Sequence, residues 1–167
     1  MNNSELNRRK PDDSKSLWEI NGAANWQPPV PSTILNSMDF DKILSLIRAM
    51  NSEGVEYITF GAVALNLHGI VRATTDVDFF IKPERSNIER LQRALRDVWD
   101  DPHISEITAD DLLGEYPSIT YAPPEESFAI DFLTRLGEVY FFDTLPSEMI
   151  EVEGIPIRVV TLQNSTR

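Results

Sequence analysis

The seven residues Thr75-Asp76-Val77-Asp78-Phe79-Phe80-Ile81 restrict the folds open to this chain more than any other stretch. They read as a short strand with two aspartates one residue apart, followed by large apolar side chains. Side chains alternate faces along a strand, so Asp76 and Asp78 point the same way. Phe79, Phe80 and Ile81 mark the strand as buried, where unpaired charge is costly and like charges repel. The commonest chemical reason for such a pair is a bound divalent cation such as Mg²⁺, which takes hard oxygen ligands. A third aspartate, Asp131, lies in a second apolar run, Phe128-Ala129-Ile130-Asp131-Phe132-Leu133. Three carboxylates on neighbouring strands predict a metal-ion catalytic site. The plainer alternative is that Asp76 and Asp78 are solvent-facing residues of an edge strand.

Around this strand the pattern alternates between strands and helices. Residues 1–36 form a polar arm that ends in Pro28-Pro29-Val30-Pro31, a density of proline that prevents regular helix and suits an extended linker. Trp18 and Trp26 in the arm suit a segment lying across the domain or a partner. Helical spacing of Phe40, Ile43, Leu44, Ile47 and Met50 predicts a helix from about Met38 to Ser52, with Ser37 as N-cap and Gly54 as its stop. Val55 to Phe60 reads as a buried strand, Ala62 to His68 as a short helix closed by Gly69, and Arg72 to Ile81 as the aspartate strand. Ser86 and Glu89 have capping-box spacing at the start of a helix with the apolar stripe Ile88, Leu91, Leu95 and Val98. Strands follow at Ser118 to Ala122 and Phe128 to Leu133, then a hairpin of Met149 to Val152 and Ile155 to Val160 around Glu153-Gly154. A single domain spans residues 37–162, with a tail at 163–167.

Composition narrows the chemistry. The chain has no cysteine, which excludes disulfides and thiol catalysis, and two histidines, too few for a histidine-rich metal cage. A formal net charge of −12 disfavours broad contact with a nucleic-acid backbone, though not a local basic patch reaching one RNA end. No apolar run approaches membrane-spanning length and the N-terminus has no signal-peptide core, so the expectation is a cytoplasmic protein without membrane contact.

From Phe60-Gly61-Ala62 through Leu65-Asn66-Leu67-His68-Gly69 and Arg72-Ala73-Thr74-Thr75-Asp76-Val77-Asp78, the chain resembles nucleotidyltransferases of the DNA polymerase beta fold. It is most similar to abortive-infection (AbiEii-like) and minimal bacterial members, over about residues 40–160. Their pattern is a glycine turn, a short helix ending in His-Gly, an Arg-x-Thr-x-Asp-x-Asp strand and a later third carboxylate. The resemblance implies an α/β (α+β) fold with a mixed β-sheet flanked by helices. It also implies transfer of a nucleoside monophosphate from an NTP to an acceptor, which is an RNA end, a protein hydroxyl or a small molecule. Asp76, Asp78 and Asp131 would hold two Mg²⁺ ions, with Mn²⁺ as a substitute, about 3.5–4 Å apart. Gly61 and Ala62 would offer backbone N–H groups to the triphosphate, and Arg72 and Lys82 are the nearest candidate cations. A cognate antitoxin or toxin partner, or a phage-defence setting, is implied by the resemblance alone.

Two departures from the family pattern open a second reading. Ala62 stands where many members have serine, removing a hydroxyl that often touches phosphate. The sequence also ends, either as a naturally short form or as a truncation, at Arg167, where many members continue into a lysine-bearing helix. Both suit a degenerate nucleotidyltransferase fold that works as a binding module through protein contacts. A carboxylate-dependent hydrolase or nuclease shares the metal chemistry but gives no reason for the glycine turn. His68 reads as structural, capping the end of its helix. The acidic run Glu106, Asp110, Asp111 and Glu115 reads as a solvated surface. Tyr140, Phe141 and Phe142 read as core, with a partner surface as the alternative.

Overall fold

The computed structural model describes residues 5–9, 40–70 and 74–162. Its elements in chain order are β1 (Glu5–Arg9), α1 (Phe40–Glu53), β2 (Tyr57–Phe60), α2 (Gly61–Leu67), β3 (Asp76–Ile81), α3 (Arg85–Val98), a 3₁₀ turn (Pro102–Glu106), α4 (Ala109–Leu112), β4 (Ser118–Ala122), β5 (Ala129–Leu133), β6 (Ser147–Val152) and β7 (Ile155–Val160). The strands form one sheet of order β1-β4-β5-β3-β2-β7-β6. It is mixed. The pairs β3–β5 and β2–β7 are parallel, and the rest are antiparallel.

The two faces of the sheet have different jobs, and strand alternation decides which residue serves which. Val77, Phe79 and Ile81 from β3, Ile130 and Phe132 from β5, Ile119 and Tyr121 from β4, and Ile157 and Val159 from β7 all enter the main core. That core is closed by α1, through Ile43, Leu44, Ile47 and Met50, and by α3, through Ile88, Leu91 and Leu95. The opposite face carries Ile58, Phe60, Phe80 and Leu133, covered by Leu136, Phe142 and Leu145 from the connection between β5 and β6. Asp76 and Asp78 are in phase with Phe80, and Asp131 with Leu133, so the three carboxylates belong to this second face.

The predicted apolar stripes of α1 and α3 match the buried residues, because a 3.6-residue period leaves one face for the core. The hairpin also forms as expected. Glu153 and Gly154 both have positive φ, 51° and 76°, the requirement of a two-residue turn that follows strand twist. Other expectations change. Helix α3 starts at Arg85, and Glu84 holds the N-cap position without a side-chain cap bond. Ser86 therefore lies inside the helix and the Ser86/Glu89 capping box does not form. Asn87 does the anchoring instead. Its Oδ1 accepts from the Glu56 N–H at 2.8 Å, and its Nδ2 donates to the carbonyls of Glu56 and Lys82 at 2.9 and 3.1 Å. One buried amide thus fixes the first turn of α3 to the ends of β2 and β3.

Part of the polar arm, Glu5–Arg9, forms an edge strand on β4. The rest of the arm, the N-cap Ser37 and the tail at 163–167 lie outside the described residues. Of the three adjacent aromatics, only Phe142 is core. Tyr140 and Phe141 are exposed. The acidic run is solvated at Glu106, Asp110 and Glu115, yet Ile107, Ala109 and Leu112 between them are buried, which makes the 3₁₀ turn and α4 a packed segment.

Candidate active site

The antiparallel pairing of β2 with β3 and the parallel pairing of β3 with β5 set a row of cross-strand partners across the middle of the sheet. Phe60 stands opposite Asp78, Asp78 opposite Asp131, and Asp131 opposite Thr120. Asp76 lies two residues before Asp78 on the same face, opposite Ala129. Strands about 4.8 Å apart and a rise of about 3.3 Å per residue place the three aspartate Cα atoms within about 8 Å of one another. Asp78 and Asp131 are buried, at 7 % and 2 % exposure. Asp76, at the open end of β3, is exposed.

Local interactions fix each position. Thr74 accepts the Asp76 N–H at 3.0 Å, and its hydroxyl donates to the Asp76 carbonyl at 2.9 Å, which sets the entry into β3. Thr120 donates its hydroxyl to Oδ1 of Asp131. A charge-assisted bond of that kind fixes the plane of the buried carboxylate. Thr120 was not among the candidates from sequence. Its signal is the alternation in Ser118-Ile119-Thr120-Tyr121, where Ile119 and Tyr121 fill the helix-covered core and leave Thr120 facing the aspartates.

Gly61 forms the tight passage from β2 to α2 with φ of +70°, a conformation that favours glycine. A Cβ on Gly61 would collide with Oδ2 of Asp78 and lie 3.1 Å from its carboxyl carbon. The backbone at Gly61 and Ala62 therefore runs directly over the Asp78 carboxylate, and only a residue without a side chain permits that approach. At the other end of α2, His68 has the structural role expected of it with a different partner. Its Nε2 meets the Val160 carbonyl at 2.8 Å and its Nδ1 lies 3.6 Å from Glu148, tying α2 to β7 and β6.

Of the seven candidates, one is not described and one stands apart from the aspartates. Arg72 lies outside the described residues. Lys82 is in phase with Asp78 but four residues further along the chain, about 13 Å away at strand rise. It is surrounded by Glu84, Glu56 and Asp143 at 3.4, 3.5 and 3.7 Å. Partial desolvation opposes its charge, but the Glu84 hydrogen bond and the three carboxylates prevail and raise its pKa. Lys82 is thus a structural cation at the far end of β3 and is not placed beside the aspartates.

In type of donor alone, Asp76, Asp78 and Asp131 suit a hard divalent cation. All ligand atoms are carboxylate oxygens, and two of the three sit side by side on adjacent strands. The convergence is one of backbone positions. Among the described residues no group of three acidic or histidine side chains is placed to hold a metal ion. Among the described residues, no helix is long and apolar enough to cross a membrane.

No protein-family model matches the chain, and no curated protein matches it. Its fold is similar to the crystal structure of a candidate nucleotidyltransferase from Thermotoga maritima. The TM-score is 0.50 and the identity 10 %, over 74 % of this chain and 78 % of that one. The likeness shows the fold of this class, a mixed sheet flanked by helices.

Proposed function

We propose that this chain is a metal-dependent nucleotidyltransferase that moves a nucleoside monophosphate from an NTP to an acceptor hydroxyl. One observation carries the reading. Asp78 and Asp131 are cross-strand partners in the middle of the sheet, with Asp76 on the same face and the Gly61 backbone pressed against Asp78. Two carboxylates buried side by side repel, and a bound cation would offset that repulsion.

In the reaction, the acceptor oxygen bonds to the α-phosphorus as the bond to the β-phosphate bridge breaks. Pyrophosphate leaves, and the acceptor gives up its proton. Divalent ions held by Asp76, Asp78 and Asp131 would supply charge stabilisation at both the attacking and the leaving oxygens. Thr120 keeps the Asp131 carboxylate in one plane, and the rigid β3–β5 pair keeps Asp78 beside it. The glycine turn would offer the backbone N–H groups of Gly61 and Ala62 to a phosphate tail. Arg72 is the remaining cation proposed for that tail. The narrower likeness to AbiEii-type members, and a toxin–antitoxin or phage-defence setting, rest on the sequence motif. The acceptor remains one of three classes, an RNA end, a protein hydroxyl or a small molecule.

The test is Mg²⁺-dependent pyrophosphate release with each NTP, together with NTP- and Mg²⁺-dependent thermal shift. Both should vanish in D76A and D78A. Normal metal and nucleotide binding in the double variant overturns the assignment. Ala62 and the lack of a ready-placed metal group among the described residues favour a second reading, a non-catalytic binding module. Absence of any thermal shift at millimolar NTP and Mg²⁺ would select it.

A further inference from the structure

Away from the aspartates, where β3 and β5 leave the sheet, lies an open cavity of about 660 Å³. Phe80, Leu112, Leu113, Tyr140, Phe141 and Phe142 give it apolar walls. Its outer lip is a small hairpin closed by a bridge between Leu136 and Tyr140. Among the described residues five large hydrophobic side chains are exposed; Leu113, Tyr140 and Phe141 at 66 % line the cavity, and Val139 at 75 % is on the hairpin at its lip. The fifth, Met149, is on the edge strand β6 and does not line the cavity. Apolar side chains gathered in this way around a cavity mark an interaction site rather than the ordinary scatter of a surface.

The charge at the mouth selects the occupant. Glu84, Glu138 and Asp143 line it, and Lys82 is already held by Glu56, Glu84 and Asp143. Arg135 adds one positive charge. Asp111 and Glu115 flank Leu112-Leu113 in sequence, with Asp110 beside them already paired to Arg85, and the chain as a whole carries −12. A second copy of this chain would bring the same acidic rim against itself. We infer that this cavity docks a segment of a partner protein that presents apolar anchors flanked by lysine or arginine, in the manner of an amphipathic helix laid in a groove. A space of this volume takes more than one side chain, which suits anchors from successive turns of one helix face. The inference is independent of the transfer chemistry, since Asp76, Asp78 and Asp131 do not line this cavity.

The probe is a short fluorescein-labelled amphipathic Leu/Lys peptide, titrated with the full chain and read by anisotropy, beside a Leu/Glu peptide of the same length. The Leu/Lys peptide should bind saturably and the Leu/Glu peptide should not. V139S/F141S, both fully outside the packed core, should weaken binding about tenfold or more, the loss expected of hot-spot anchors. M149S should leave it unchanged, and E138K/D143K should shift preference towards the Leu/Glu peptide. Equal binding of the two peptides, or parent-like binding by V139S/F141S, overturns the proposal. So does a dimer in light scattering that F141S converts to monomer, since the occupant would then be a second copy.

Discussion

Gly61→Ala tests the closest approach in the site with a single methyl group. Two costs add. At φ of +70° an L-residue is strained by about 1–2 kcal/mol. The new Cβ also overlaps Oδ2 of Asp78, and pushing that buried side chain off its rotamer costs about 1 kcal/mol more. The sum is about 2–3 kcal/mol, or a fall in Tm of about 4–12 °C for a domain of this size. The two parts separate in a double-mutant cycle. In the D78A background the overlap is gone and only the backbone strain remains, so G61A should cost about 1 kcal/mol less there. Urea unfolding of the four proteins gives the coupling directly. An equal penalty in both backgrounds refutes the contact, and no penalty in either refutes the left-handed backbone at Gly61. Displacement of Asp78 should also abolish any Mg²⁺-dependent thermal shift of the G61A protein while the fold persists.

The other predictions concern groups that fix the site or the sheet. Thr120→Val keeps the shape but removes the donor to Asp131, a charge-assisted bond worth about 1.5–3 kcal/mol; NMP transfer should fall more than tenfold, T120S should recover most of it, and a T120V protein with parent activity refutes the role. Asn87→Ala strands the Glu56 N–H and removes one of the two donors at each of the Glu56 and Lys82 carbonyls, which keep the Lys82 and Glu84 N–H groups, so a loss of about 1–3 kcal/mol is expected in urea melts, with N87D scarcely better because its carboxylate would face those two carbonyls. Alkaline pH should destabilise the fold. Burial pushes the Tyr57 phenol up to about 12, and burial followed by the Asp101 hydrogen bond raises that of Tyr121. Both protons are kept in the folded chain where the unfolded chain releases them near pH 10, so the stabilisation is intact below about pH 10 and is lost as pH rises through the folded values. The slope is up to about 1.4 kcal/mol per pH unit for each tyrosine; urea midpoints that do not move between about pH 9 and about pH 11 would sink this account.

How much of the fold was legible follows from what sets each element. Helices α1 and α3 were readable because their stripes face one core across several turns, and hydrophobic period is a local signal. The β6–β7 hairpin was readable because its turn demands two positive φ values and Glu153-Gly154 supplies the glycine. The start of α3 was misread because Ser-x-x-Glu spacing is also local, while the anchoring that won is tertiary. Asn87 reaches backbone atoms of Glu56 and Lys82, and no sequence window contains that geometry. The edge strand Glu5–Arg9 was hidden for a related reason: its pairing partner β4 begins more than a hundred residues later.

The site divides along the same line. Asp76 and Asp78 declare themselves by two-residue spacing, and Asp131 by its isolation among apolar residues. Their adjacency depends on β3 and β5 pairing in parallel in a register that sets Asp78 against Asp131. A slip of one residue would have turned Asp131 into the helix-covered core beside Phe79, where its charge could not be tolerated, and Phe132 out of it. The carboxylates therefore constrain the register as much as the register assembles them. Lys82 shows the opposite case. It has the right phase and the wrong distance, because alternation reports the face a side chain shares and says nothing of how far along the strand it sits. The acids at one end of β3 and the ion-paired lysine at the other are kept apart by Phe80 and Leu133, packed under Phe142. That apolar divider lets one face of one sheet carry a candidate metal site and a separate docking cavity, so variants in either can be read without disturbing the other.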